Sequence, residues 1–136
     1  NIPTTASATK IYSRDRNHWH ISHEGGTIED PWNAPPEDAY MLTVPVSKAP
    51  DAHTDVTLVF AKGRPVALNG KRMEAWQIIT ELNDIAGRHG VGRVDLVENR
   101  RVGMKSRGLY ETPGGTTIVD GVRGDHVAHG REIFPH

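Results

Sequence analysis

The sequence predicts an α+β (α/β-like) fold: a mixed sheet with a hairpin and at least one helix packed against it. Three observations carry this. Ala75, Ile78, Ile79, Leu82, Ile85 and Ala86 recur at spacings of three and four, the single apolar stripe of an amphipathic helix over residues 74–89. Val56, Leu58 and Phe60 alternate at period two, which marks a strand over 55–60. Asn69-Gly70 between short β-type stretches is a hairpin signal, because both turn residues must tolerate positive φ.

Taken in order, residues 1–11 read as a linker and 11–29 mix polar residues with Tyr12, Trp19, Ile21 and Ile28 without a clean period. Residues 31–38 (PWNAPPED) form a proline-stiffened connector. Residues 40–46 (YMLTVPV) have strand composition, with Pro45 confining them to an edge or a strand end. After the strand at 55–60, residues 65–68 continue the β character and 71–73 return from the turn. Gly87 and Gly90 end the helix, with Arg88 and His89 suited to its negative C-terminal end. Residues 91–97 read as a strand with Val94 and Leu96 on one side, opening into a long charged loop over 97–116 that closes on Tyr110 and a Pro113-Gly114-Gly115 turn. Residues 117–136 are rich in Gly and His, have poor helix character and are left unassigned.

Composition narrows the function classes. The chain of 136 residues fits one domain or a piece of a larger one, and at 36% hydrophobic with Gly 14 and Pro 9 its core is modest. A net charge of −1 gives no bulk field for nucleic acid or an anionic membrane. Cysteine is absent, which excludes disulfides and thiolate metal sites. No apolar run approaches membrane-spanning length.

The candidate chemistry lies in two places. Ser13, Asp15, Asn17, His20, Ser22 and Glu24 crowd into twelve residues, a row suited to the ends of an amino acid or a ureido group, or simply a polar surface strand. Glu98 follows the strand at 91–97, where it either meets an ammonium with help from Tyr110 or forms a salt bridge to Arg100 or Arg101. Lys105 and Arg107 either hold a phosphate or carboxylate or belong to a solvated charged face. Eight histidines, including His18, His20, His23, His126 and His129, match no tight metal signature, so no metal site is expected. Neither GxxxxGK[ST] nor GxGxxG is completed: Arg72 stands where the first needs Ser or Thr, and Asp95 where the second needs its last Gly.

Three blocks of the sequence, YSRDRNHWHISHEGGTIEDPW at 12–32, GRPVALNGK at 63–71 and NDIAGRHGVGRVDLVENRRVGMKSRGLYETPGGT at 83–116, resemble the argininosuccinate synthase (citrulline–aspartate ligase) family. The resemblance implies the synthetase lobe of a two-domain ligase over 12–116. It implies an activity that joins L-citrulline and L-aspartate to give argininosuccinate, with ATP cleaved to AMP and diphosphate through a citrullyl-adenylate. ATP enters as a substrate with Mg2+ expected, its site mostly in an N-terminal domain. The family's phosphate loop and aspartate-binding residues have no counterpart here, and the chain begins with Asn1, so a fragment inactive alone is expected. Ser13, Ser22, Glu98 and Tyr110 match the family's citrulline-contacting residues, with an orienting rather than a general-base role. A cytoplasmic homotetramer is implied. The alternatives are a non-catalytic amino-acid-binding module or a structural lobe derived from that family.

Overall fold

A computed structural model describes residues 12–123 and the backbone of 132–133. Among the described residues the fold is α+β, with two four-stranded sheets and two α-helices. The first sheet runs β1 (Ser13–Arg16), β2 (Ile21–Glu24), β7 (Lys105–Glu111), β6 (Arg93–Asn99), antiparallel throughout. The second runs β5 (Lys71–Arg72), β4 (Arg64–Leu68), β3 (Leu58–Ala61), β8 (Glu132–Ile133), with β8 parallel to β3.

The predicted helix is α1 (Ala75–Arg88). Its start is fixed by the Gln77 side chain, which accepts a hydrogen bond from the Glu74 amide at 2.9 Å. Its end is a Schellman turn: Val91 N–H donates to Ala86 O and Gly90 N–H to Gly87 O, both at 3.0 Å. The apolar stripe buries Ile78, Leu82 and Ala86. Ile78 and Leu82 meet Leu58, Phe60, Leu68 and Ile118 in the main core, with Ile79 packed against it. Leu58 and Phe60 are the alternating face expected of the strand, although β3 begins later than predicted. Asn69 (φ 49) and Gly70 (φ 83) make the expected turn between β4 and β5. Lys62 (φ 51) and Gly63 (φ 75) make a second, unpredicted turn of the same kind between β3 and β4.

Three expectations are corrected. Residues 40–46 form no strand. The amides of Met41, Leu42 and Thr43 donate to the Glu111 carboxylate and the Val44 amide to Gly87 O, so they have no neighbouring strand to pair with. The segment 97–116 is not one long loop: β6 continues to Asn99, a short turn covers 100–104, and β7 becomes an inner strand of the first sheet. Pro113-Gly114-Gly115 is not a turn but the first turn of α2 (Pro113–Arg123), so residues 117–123 are helical. Thr112 precedes the helix and Pro113 takes its first position, where the missing N–H costs nothing. The rest of the unassigned stretch, beyond Arg123, lies outside the described residues save the backbone of β8.

Close approach ties the layers together. The Cβ of any residue at Gly114 would come within 2.8 Å of Asn83 Oδ1, and Gly114 N–H donates to that oxygen at 2.8 Å. Asn83 Nδ2 reaches His18 O in the β1–β2 turn, so one side chain links both helices to the first sheet. A Cβ at Gly87 would collide with the Leu42 carbonyl oxygen. Gly87→Ala should therefore lower stability by about 2 kcal/mol, despite the roughly 1 kcal/mol helix-propensity gain of alanine. A urea midpoint equal to or above that of the parent chain would contradict this packing.

Candidate functional site

The first sheet has two faces of different chemistry, set by strand register. Asp15 lies opposite Ser22, Ser22 opposite Tyr110, and Tyr110 opposite Val94. Directly opposed residues share a face, and so do residues two apart on one strand. Ser13, Asp15, Ser22, Glu24, Ser106, Gly108, Tyr110, Leu96 and Glu98 thus occupy one face. The four sequence candidates, Ser13, Ser22, Glu98 and Tyr110, come from four different strands and fall on this face together. It is open: Ser13 and Glu98 are exposed, Ser22 and Tyr110 half-buried.

Of the two readings for Glu98, the structure selects neither salt bridge. Tyr110 Oη donates to Glu98 Oε2 at 2.8 Å. That hydrogen bond, with burial and the Glu98 charge behind it, raises the phenol above its ordinary value. Arg100 instead pairs with Glu24 at 3.0 Å and donates to Ser106 Oγ at 3.0 Å. His20 brings its ring to 6.5 Å from that of Tyr110. Asn17 does not join the site. It shapes the β1–β2 turn, its Oδ1 accepting from the amides of Trp19 and His20 at 2.8 and 2.9 Å.

Arg107 is not a free phosphate or carboxylate binder. It lies on the opposite face, 7% exposed, and forms a bidentate pair with Asp95 at 2.8 and 2.7 Å. Its remaining donors take the carbonyls of Ile28, Asp30 and Asn33. The hydrogen bond to Arg107 holds the Asp95 carboxyl below its usual range, and the same bond raises the guanidinium. One buried cation thereby pins the connector after β2 beneath the sheet.

At the end of β7, on this underside, is Glu111, fully buried and missed by sequence reasoning. Its carboxylate accepts from His23 Nε2 at 2.7 Å and from the amides of Met41, Leu42 and Thr43 at 2.9 to 3.0 Å, with Thr43 Oγ1 at 2.6 Å. Arg14 Nε donates to His23 Nδ1 at 3.0 Å, so Nδ1 is an acceptor and the ring proton sits on Nε2, facing Glu111. Arg93 completes the network, donating to Thr43 Oγ1 at 2.8 Å and to both oxygens of Glu37, with its guanidinium 3.7 Å above the Tyr40 ring. The signal was present: once 105–111 is a strand, alternation sets Arg107, Leu109 and Glu111 on one face and Ser106, Gly108 and Tyr110 on the other. The remaining clustered histidine, His18, packs edge-on to Trp76. His126 and His129 lie outside the described residues.

Residues 12–127 match the family described as Arginosuccinate synthase C-terminal domain. An argininosuccinate synthase of Erwinia tasmaniensis is 58% identical over 123 residues, covering 90% of this chain and 30% of that protein. One of Roseiflexus sp. is 58% identical over 118 residues, 87% of this chain and 29% of that protein. One of Moorella thermoacetica is 56% identical over 117 residues, 86% and 29% respectively. The chain spans about 30% of the length of the curated relatives it matches.

Burial alone would push the Glu111 carboxyl up. The hydrogen bonds from His23, Thr43 and the Met41 and Leu42 amides outweigh it and bring the group down to about 2, from an ordinary 4.5. A depressed carboxyl contributes stability that is complete above its unfolded value and lost as pH falls through its folded one. Stability should therefore decline as pH drops from about 4.5 toward about 2. Glu111→Gln should be less stable at neutral pH and should flatten that decline. Urea midpoints measured across this range check both. An unaltered acid slope in the variant would show that Glu111 does not carry it.

Proposed function

The chain belongs to the argininosuccinate synthase family, and from that premise we propose that its open sheet face is one wall of the citrulline site of an ATP-dependent ligase. The reaction proposed is the joining of L-citrulline and L-aspartate to argininosuccinate, with ATP cleaved to AMP and diphosphate through a citrullyl-adenylate. The observation that carries the reading is the convergence of Ser13, Ser22, Glu98 and Tyr110, from four strands, on one open face.

The chemistry suits a zwitterion with a polar tail. Because Tyr110 spends its proton on Glu98, the phenol oxygen and the carboxylate together form an acceptor patch. Such a patch calls for a donor, and the α-ammonium of an amino acid is a charged one. The hydroxyls of Ser13 and Ser22 both donate and accept, which fits a carboxylate or a ureido group. No group on this face is assigned as a general base. Its work is positioning, since a substrate held in line with its reaction partner reacts as within one molecule.

Among the described residues no glycine-rich phosphate loop is present. ATP, with Mg2+, and aspartate are therefore proposed to be held mainly by parts of the enzyme outside this chain. A cytoplasmic homotetramer belongs to the same proposal.

In the complete enzyme, Glu98→Gln should raise the citrulline KM by about tenfold or more, the scale of a lost charge-assisted hydrogen bond. The KM values for aspartate and ATP should stay close to those of the parent. Steady-state kinetics with each substrate varied in turn provide the check, and unchanged citrulline kinetics would remove Glu98 from the site.

A further inference from the structure

Gly108 sits in the middle of β7, an inner strand, where glycine weakens a sheet. Its backbone does not require glycine, because it is not among the residues of positive φ. Its space does. A Cβ built there would lie 2.9 Å from Cε2, 3.1 Å from Cζ and 3.1 Å from Oη of Tyr110. The outer end of the phenol ring therefore lies beside the α carbon two residues back on its own strand. This pose carries the hydroxyl past the Gly108–Leu96 pair to Glu98 on β6, whose partner Ser106 lies two residues beyond Gly108. Gly63, Gly70 and Gly103 differ, with positive φ and open space where a Cβ would go, whereas Gly87, Gly114 and Gly115, like Gly108, are crowded there without positive φ.

We propose that Gly108 is a positioning residue: its missing side chain is the seat on which the Tyr110 phenol rests, and the Tyr110–Glu98 pair exists because that seat is empty. A side chain at 108 makes the flexible end of Tyr110 shift from this seat, and the hydroxyl moves with it away from Glu98. The link from this seat to substrate recognition rests on the reading of this face as the citrulline site; the seat itself does not.

The two parts are tested separately. In the 136-residue chain carrying isotope-labelled tyrosine, the Tyr110 phenol is titrated by NMR, its signal assigned by its loss in Tyr110→Phe. The titration should move down toward the ordinary 10.0 in Gly108→Ala, as it should in Glu98→Gln. Added to Glu98→Gln, Gly108→Ala should then have little further effect. In the parent chain the Gly108 α protons should carry a ring-current shift from the neighbouring phenol, and Tyr110→Leu should abolish that shift. This arm needs no substitution at 108, so it decides even if Gly108→Ala fails to fold. An unchanged phenol titration in a folded Gly108→Ala, or unshifted Gly108 α protons in the parent, overturns the proposal. In the complete enzyme, Gly108→Ala should raise citrulline KM about as far as Glu98→Gln does, with kcat within about twofold. If the titration moves and the KM does not, the seat stands and the citrulline reading of the face fails.

Discussion

The Glu111 carboxylate organises the first sheet and everything laid against it. It is fully buried and ends the inner strand β7. Its hydrogen bonds reach the adjacent strand through His23 and the chain at 41–43 through amides and a hydroxyl. A carboxylate left unpaired at such depth costs several kcal/mol, so each donor is held in place by the penalty for leaving. This explains why a segment with the composition of a strand bends around a carboxylate instead: its donors are already taken. It also explains how a chain with a modest apolar core keeps a sheet covered on one side. Glu111 and the Arg107–Asp95 pair fasten the connector where Ile28, Ala39 and Leu109 alone give a small cluster.

Strand alternation carries that anchoring through to the candidate face. Residues 107, 109 and 111 of β7 face the underside, while 106, 108 and 110 face outward. The same alternation on β2 buries Ile21 and His23 and leaves Ser22 and Glu24 on the open side. Fixing the underside of β2 and β7 therefore fixes the positions of Ser22 and Tyr110, one residue away on the same backbones. The open face needs few internal bonds of its own. Tyr110 with Glu98, and Arg100 with Glu24, are its principal ones, and both use groups with acceptor capacity to spare.

Much of the second sheet was legible because its signals are local. The helix stripe, the alternation through Leu58 and Phe60 and the Asn69-Gly70 turn each depend on residues close in sequence. The first sheet was harder to read. Its inner strand β7 is KSRGLYE, whose buried face alternates Arg107, Leu109 and Glu111, so charge masked the apolar period. The β1–β2 hairpin buries only Ile21 and His23 and turns on Asn17, with no Asn-Gly pair to announce it. The start of α2 was signalled by Thr112-Pro113, but the two glycines that follow read as a turn. They are glycines because Asn83 and Trp19 stand where side chains would go. The candidate residues were named from the resemblance. That they share one face depended on register, which no single segment specifies.

The open face is proposed as the place where citrulline meets this chain. Amide NMR spectra of the isotope-labelled chain, recorded as citrulline is added, test this directly. The account predicts shifts concentrated at Ser13, Ser22, Glu98, Tyr110 and their strand neighbours, with residues 58–88 of the second sheet and α1 unmoved. Saturable shifts centred elsewhere, or none on this face in the folded chain at high citrulline, would contradict it.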